Sequence, residues 1–370
     1  MKWSWRIGRV AGIGLYVHAT FLLLLGWIVL QEYQRGVAAV LGALLYIAAI
    51  FAIVVLHELG HALTARRYGI VTRDIILLPI GGVARLERMP REPRQEMIVA
   101  LAGPAVNVVL ALALYAFVRA TGGVPAEDPY TIDVAFSGRS ILMQLVYVNV
   151  WLALFNLLPA FPMDGGRVLR AVLAMRMHNY ARATSIAARV GRALALAIGL
   201  VGLFGPNRSP FLVLIALFVW LGAASEASAA QTSSTLDGVP IEQLMIRDVR
   251  TLAPDEPLSR AVQLTLDGFQ QDFPVVDGGG GAGVIGVLTR TDLLRALAEQ
   301  GPNALVSTAM HRTFAVAGPE EQAEEVLARL RTSDCNAMPV VRGKELLGVL
   351  TLDNVGEYIM IKTALRQAKG

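Results

Sequence analysis

The chain has 370 residues, 55% hydrophobic and 17% charged, with a mean hydropathy of +0.53, which excludes an ordinary soluble globular protein and points to a multi-span membrane protein. Its formal net charge of +4 comes largely from arginines flanking apolar runs; that is a topology signal and gives no nucleic-acid footprint. The one cysteine, Cys335, excludes an intrachain disulfide and fits a reducing cytoplasmic setting.

From the N-terminus, residues 1–6 lead into an apolar stretch too long for a signal-peptide core and without a cleavage site, so it reads as an uncleaved first span. A spanning helix takes about 20 mostly apolar residues. Six segments qualify, at about 10–30, 37–65, 95–118, 139–160, 187–205 and 209–226, the last two joined by the Gly/Pro turn at 205–210. Lys2, Arg6 and Arg9 precede the first. Arg66, Arg67, Arg73, Arg85, Arg88, Arg91 and Arg94 separate the second from the third, and Arg167, Arg170, Arg176, Arg182, Arg189 and Arg192 follow the fourth. Loops 31–36, 119–138 and 205–210 are poor in positive charge, and the long one carries Glu127, Asp128 and Asp133. The positive-inside rule then places both termini in the cytoplasm. Residues 70–88 stand apart: a β-branched run broken by Pro79 and Gly81-Gly82 predicts a short hairpin at the membrane surface.

The composition turns soluble beyond residue 226, giving a transmembrane domain at 1–226 and a small-polar linker at 227–238. An internal repeat follows. Leu244-Met245, Pro254 and Pro274-Val275-Val276 align 65 residues later with Ala309-Met310, Pro319 and Pro339-Val340-Val341. Gly286-Val287-Leu288-Thr289 recurs 62 residues later at 348–351, the shift being absorbed by the glycine-rich stretch 278–283. The expected fold is therefore a multi-span α-helical membrane protein with a cytoplasmic α/β tandem module, its copies at 239–298 and 299–370.

The chemistry-bearing feature is His57-Glu58-Leu59-Gly60-His61, which follows a run (37–56) without a charged residue. Histidines four apart on a helix share a face and can grip one metal ion, and the glutamate beside the first can take a proton from a water held there. Ionisable groups at membrane depth are costly and are read as functional. A catalytic zinc requires a third protein ligand. Of the other histidines, His18 reads as an interfacial or packing residue, His178 as a loop residue, and His311 belongs to the repeat. Asp164 is the stronger candidate: in Asn156-Leu157-Leu158-Pro159-Ala160-Phe161-Pro162-Met163-Asp164-Gly165-Gly166, two prolines and two glycines break a helix at membrane depth. The alternative for Asp164 is a helix-cap aspartate, and Asn107 is either packing glue or a site residue.

Residues 57–61, the Ala-Gly-Pro-x-x-Asn run at 102–107 and the run at 156–166 together resemble the site-2 protease family of intramembrane zinc metalloproteases over about 10–226. The resemblance implies one zinc held by His57, His61 and Asp164, Glu58 as general base, and hydrolysis of transmembrane segments of other proteins in a prokaryotic plasma membrane. It implies a substrate-positioning role for Asn156 and a substrate-guiding hairpin containing Gly81 and Gly82. Met163 stands where the family often has leucine, a volume-preserving change. The repeat resembles tandem CBS domains over about 239–360, which implies an adenine nucleotide contacted by Thr289 and Asp292 and, in the second copy, by Thr351 and Asn354. Asn354 lacks the carboxylate that would hold a ribose, and the alternative for the pair is a ligand-free module that forms a homodimer. Readings from another class are a metal-binding membrane protein without catalysis, for instance a nucleotide-gated transporter, and a catalytically idle scaffold in which the CBS pair does the binding; Glu58 discriminates, since a transporter site has no need of a base beside its ligand.

Overall fold

The computed structural model of the chain describes residues 3–79, 81–87, 90, 92–121, 138–206, 208–268, 270–277, 283–333 and 335–367. Arg88, Arg91, Glu127, Asp128, Asp133 and most of the glycine-rich insertion lie outside them. The chain divides into two compact units, 1–230 and 231–370.

The first unit opens with a hairpin where a span was expected. Strands β1 (Ser4–Val10) and β2 (Ile13–His18) pair antiparallel, and only then does α1 (Thr20–Glu32) begin. Ala11 and Gly12, at φ 52° and 90°, make the tight turn, and beyond it Ile13, Leu15 and Val17 alternate with Gly14 and Tyr16 at the period of a strand. A hydropathy window averages over that alternation and reads it as helix. The 13 residues of α1 rise roughly 20 Å, short of the ~30 Å hydrocarbon core. His18 ends β2, its Nδ1 accepting the Thr20 N–H at 3.3 Å.

Helix α2 (Val37–Arg66) leads to β3 (Thr72–Leu78) and β4 (Gly81–Leu86), the hairpin expected at 70–88. The four strands form one sheet in the order β1-β2-β3-β4, with β2 and β3 parallel, so β4 has one open edge. Ile13, Ile75 and Leu77 of the sheet pack on Phe51, Leu59 and Ala62 of α2. There follow α3 (Pro93–Ala120), α4 (Gly138–Asn156), the expected break, α5 (Asp164–Met177), α6 (Tyr180–Phe204) and α7 (Pro210–Leu236). Among the described residues four helices, α2, α3, α6 and α7, are long and apolar enough to cross a membrane, and α4 contributes a shorter apolar stretch. The stretch read as a linker is helical as far as Leu236, because its alanines at 227, 229 and 230 continue the helix-favouring run of Ala223 and Ala224.

In the second unit α8 (Leu258–Leu266), β5 (Phe273–Val276), β6 (Val284–Leu288), α9 (Arg290–Gln300), α10 (Val306–Ala309), α11 (Ala323–Thr332), β7 (Ala337–Arg342), β8 (Glu345–Thr351) and α12 (Leu352–Gln367) follow one another. The repeat is visible in the backbone: Leu252 bridges Val275 as Ala317 bridges Val340. The copies also exchange ends. Ile246 of the first bridges Val349 of the second, and His311 of the second bridges Val287 of the first. One core accordingly joins Val306 and Met310 to Phe273, Val275 and Leu288, while the other joins Leu236, Ile241 and Leu244 to Val326, Val340 and Leu350. A boundary at 298/299 divides the sequence but not the packing.

Candidate metal centre

His57 and His61 lie one turn apart on the buried side of α2, 7% and 5% exposed. Their Nε2 atoms are 3.1 Å apart, and Asp164 Oδ2 lies 3.1 Å from that of His61 and 3.3 Å from that of His57. Asp164 arrives because it starts α5 straight after the break. A Cβ on Gly165 would fall 2.3 Å from the carbonyl oxygens of Leu157 and Leu158, so only glycine lets the broken segment fold against the first turn of α5.

The outward nitrogens are engaged. His61 Nδ1 is 2.7 Å from the Val99 carbonyl oxygen and His57 Nδ1 is 3.0 Å from Asn107 Oδ1, both contributed by α3. A carbonyl only accepts, so both rings carry their proton on Nδ1 and turn an Nε2 lone pair inward. Three acceptors then converge, two imidazole nitrogens and a carboxylate oxygen, an arrangement that calls for a cation between them. Bonds of about 2.0–2.1 Å to a tetrahedral zinc put ligand atoms roughly 3.3 Å apart, close to the observed separations. Gly103 keeps the space clear: a Cβ there would lie 2.2 Å from His61 Nε2 and 2.7 Å from His57 Nε2. The donor set and the space both fit zinc.

Glu58 projects toward β4. Its Oε2 accepts the Ala84 N–H at 3.2 Å, and a Cβ on Gly82 would lie 2.9 Å from its Cγ. Glu87 N–H donates to Val71 at 3.0 Å, so the odd-numbered residues of β4 face β3, and Gly82, Ala84 and Leu86 turn their backbone groups to the open edge beside Glu58. Gly82 is thereby brought to the site; Gly81, at φ +137°, opens the strand. On the same hairpin Arg85 pairs with Asp74, whose carboxylate holds the guanidinium above its ordinary range. Asn156 donates its side-chain N–H to Leu152 in the last turn of α4 at 3.0 Å, not to His57, His61 or Asp164.

In the second unit Thr289 Oγ1 accepts the Asp292 N–H at 3.2 Å at the start of α9, and Thr351 Oγ1 accepts the Asn354 N–H at 3.3 Å at the start of α12. Each threonine hydroxyl also donates to the partner side chain, and Asp292 meets His311 Nε2 at 2.7 Å. These residues cap helices. A cavity of about 390 Å³ in this unit is lined by Arg247, Thr251, Asp277 and Glu345 among others, and by none of those four.

Sequence reasoning left Asn107 undecided and passed over Val99 and Gly103, although the run at 102–107 marked the segment. A backbone carbonyl and the space left by a glycine leave no signature of their own.

The profile described as Peptidase family M50 matches residues 45–198, and the CBS domain profile matches 241–299 and 306–360. The zinc metalloprotease MJ0392 of Methanocaldococcus jannaschii is 34% identical over 287 residues, covering 78% of this chain and 79% of that protein. Rip3 of Mycobacterium tuberculosis is 29% identical over 95% of this chain and 92% of its own length. Among solved structures, the site-2 protease from Methanocaldococcus jannaschii aligns with 35% identity and a TM-score of 0.44, over 61% of this chain and 95% of that one.

Proposed function

This chain belongs to peptidase family M50 as a site-2 protease-type zinc metalloprotease with two CBS domains, and we propose that it cleaves peptide bonds within or beside transmembrane segments of other membrane proteins. The observation that carries the reading is the convergence of three inward-facing acceptors around space that Gly103 leaves clear.

In this reading His57, His61 and Asp164 hold the zinc, with Asn107 and Val99 fixing the ring orientations. The bound ion supplies Lewis acidity toward a water and a peptide carbonyl. Glu58 takes the proton from the attacking water and passes it to the leaving amine, which needs a carboxylate free to turn between the two. A helical substrate hides its carbonyls, so it must unwind. The open edge of β4 at Gly82, Ala84 and Leu86 then offers the freed backbone a strand to pair with, right beside Glu58. Gly82 lets that strand come close, Gly81 lets it turn, and Asn156 steadies the substrate once its amide leaves Leu152.

The protein sits in a prokaryotic plasma membrane with several spans and both termini in the cytoplasm, as the arginine distribution supports. The CBS pair regulates it by binding an adenine nucleotide through Thr289, Asp292, Thr351 and Asn354, or by joining two copies. Incubating the purified protein and zinc in liposomes with a model transmembrane substrate, with and without nucleotide, tests the proposal. Equal cleavage by wild type and Glu58→Gln, or none by either, sinks it.

A further inference from the structure

Arg170 and Glu96 are ionisable, 2% and 1% exposed, and have no part in the chemistry above. Arg170 Nε donates to Glu96 Oε1 at 2.7 Å, and Nη1 donates to Glu226 Oε1 at 2.5 Å. The guanidinium lies 5.0 Å from the ring centre of Phe161 and 4.9 Å from that of Tyr180, whose hydroxyl donates to Glu96 Oε1 at 3.3 Å. One side chain of α5 thus joins α3, the broken segment, α6 and α7. Charges taken out of water in this way tolerate little displacement, since parting them strands an uncompensated ion.

The partners are placed around the metal ligands. Glu96 precedes Val99, which fixes His61, by one helical turn, and Phe161 lies three residues before Asp164. Arg170 follows Asp164 by six residues, about 9 Å along α5. The pair therefore spans the two helices that must agree: α3, which orients both imidazoles, and α5, which brings the carboxylate. Glu226 differs from Glu96. Its side chain is 33% exposed against 1% for Glu96, so a substitution at Glu226 leaves Arg170 its buried counter-ion.

We propose that Arg170, with Glu96 as its fixed partner, is a positioning residue of the zinc centre: it sets the rotation and axial placement of α5 against α3, and hence Asp164 Oδ2 against the two Nε2 atoms. This rests on the zinc reading above. The full-length protein, purified in detergent and loaded with Co²⁺, reports ligand geometry through its visible spectrum, and competition with a chelator reports metal affinity. Arg170→Lys and Glu96→Gln should each shift the Co²⁺ spectrum and lower metal affinity or kcat by about 10- to 100-fold. KM should stay within about threefold, because substrate does not touch the pair. Glu226→Gln should keep the wild-type spectrum. If Arg170→Lys does not fold, Tyr180→Phe removes one hydrogen bond to Glu96 and no charge, and should shift the spectrum less but in the same direction.

Folded variants with altered thermal stability but wild-type Co²⁺ spectrum and affinity would overturn the assignment, reducing the pair to a structural one. So would Glu226→Gln shifting the spectrum as far as Glu96→Gln. Wild-type protein that takes up neither Co²⁺ nor Zn²⁺ defeats the zinc reading itself, and the assignment with it.

Discussion

The Ala84 N–H on the open edge of β4 donates to Glu58 Oε2 at 3.2 Å, so the proposed base and the proposed substrate track share a hydrogen bond. A strand pairing with β4 has to take that N–H for its own carbonyl, and in doing so it releases the carboxylate for proton transfer. In the proposed mechanism substrate binding and release of the base therefore coincide, and Gly82 leaves the room for Glu58 to lie against the strand.

Glu58→Gln keeps an oxygen to accept from Ala84 and leaves His57, His61 and Asp164 untouched. Peptide hydrolysis should fall by about 10²- to 10⁴-fold while zinc content stays at the wild-type level. Cleavage of a model transmembrane substrate and metal analysis of the same preparation check both halves, and parallel loss of zinc would assign Glu58 a structural role instead.

Gly103→Ala puts a methyl group 2.2 Å from His61 Nε2, in the space between the ligands. Metal affinity should drop by at least about 10-fold, with the helical circular dichroism signal retained. Zinc binding measured by competition decides the matter; wild-type affinity in this variant would mean the rings move aside freely.

Asn107 is fully buried, and its side-chain oxygen faces His57 Nδ1 at 3.0 Å. Asn107→Leu keeps the branched shape and removes the acceptor, freeing the ring to turn or change tautomer. A loss of about 10- to 100-fold in metal affinity or kcat is expected. Asn107→Asp, which retains an acceptor, should recover much of it.

Asp272 in the CBS pair gives a pH prediction. Burial pushes its carboxyl up, Asp353 and Asp292 add to this, and the Arg290 N–H opposes it. A carboxyl with a folded-state pKa above its unfolded one favours the fold most below the unfolded value. That contribution is lost as pH rises through the window up to the folded value and stays lost at neutrality. Asp272→Asn, which still offers an oxygen to the Arg290 N–H, should raise the unfolding temperature of the CBS transition at pH 7 and have less effect near pH 4. A uniform effect at both pH values would assign the change to packing.

What the residues determined alone is local. The four-residue spacing of His57 and His61 fixes a shared helix face, the Pro and Gly content of 156–166 fixes a break, and the β-branched run at 72–78 fixes a strand, because each is a matter of backbone period and propensity over a few residues. The repeat was legible for a similar reason, since the same local pattern occurs twice. What the tertiary structure decided are meetings between distant segments: β2 lying parallel to β3 across the whole of α2, Asn107 and Val99 closing on the imidazoles, Arg170 reaching Glu96, and Ile246 and His311 changing places between the copies. Periodicity says which way a side chain points from its own axis. Which remote atom it finds there depends on how helices and strands pack, and at β1 and β2 the same apolar letters that suited a span were claimed by a sheet.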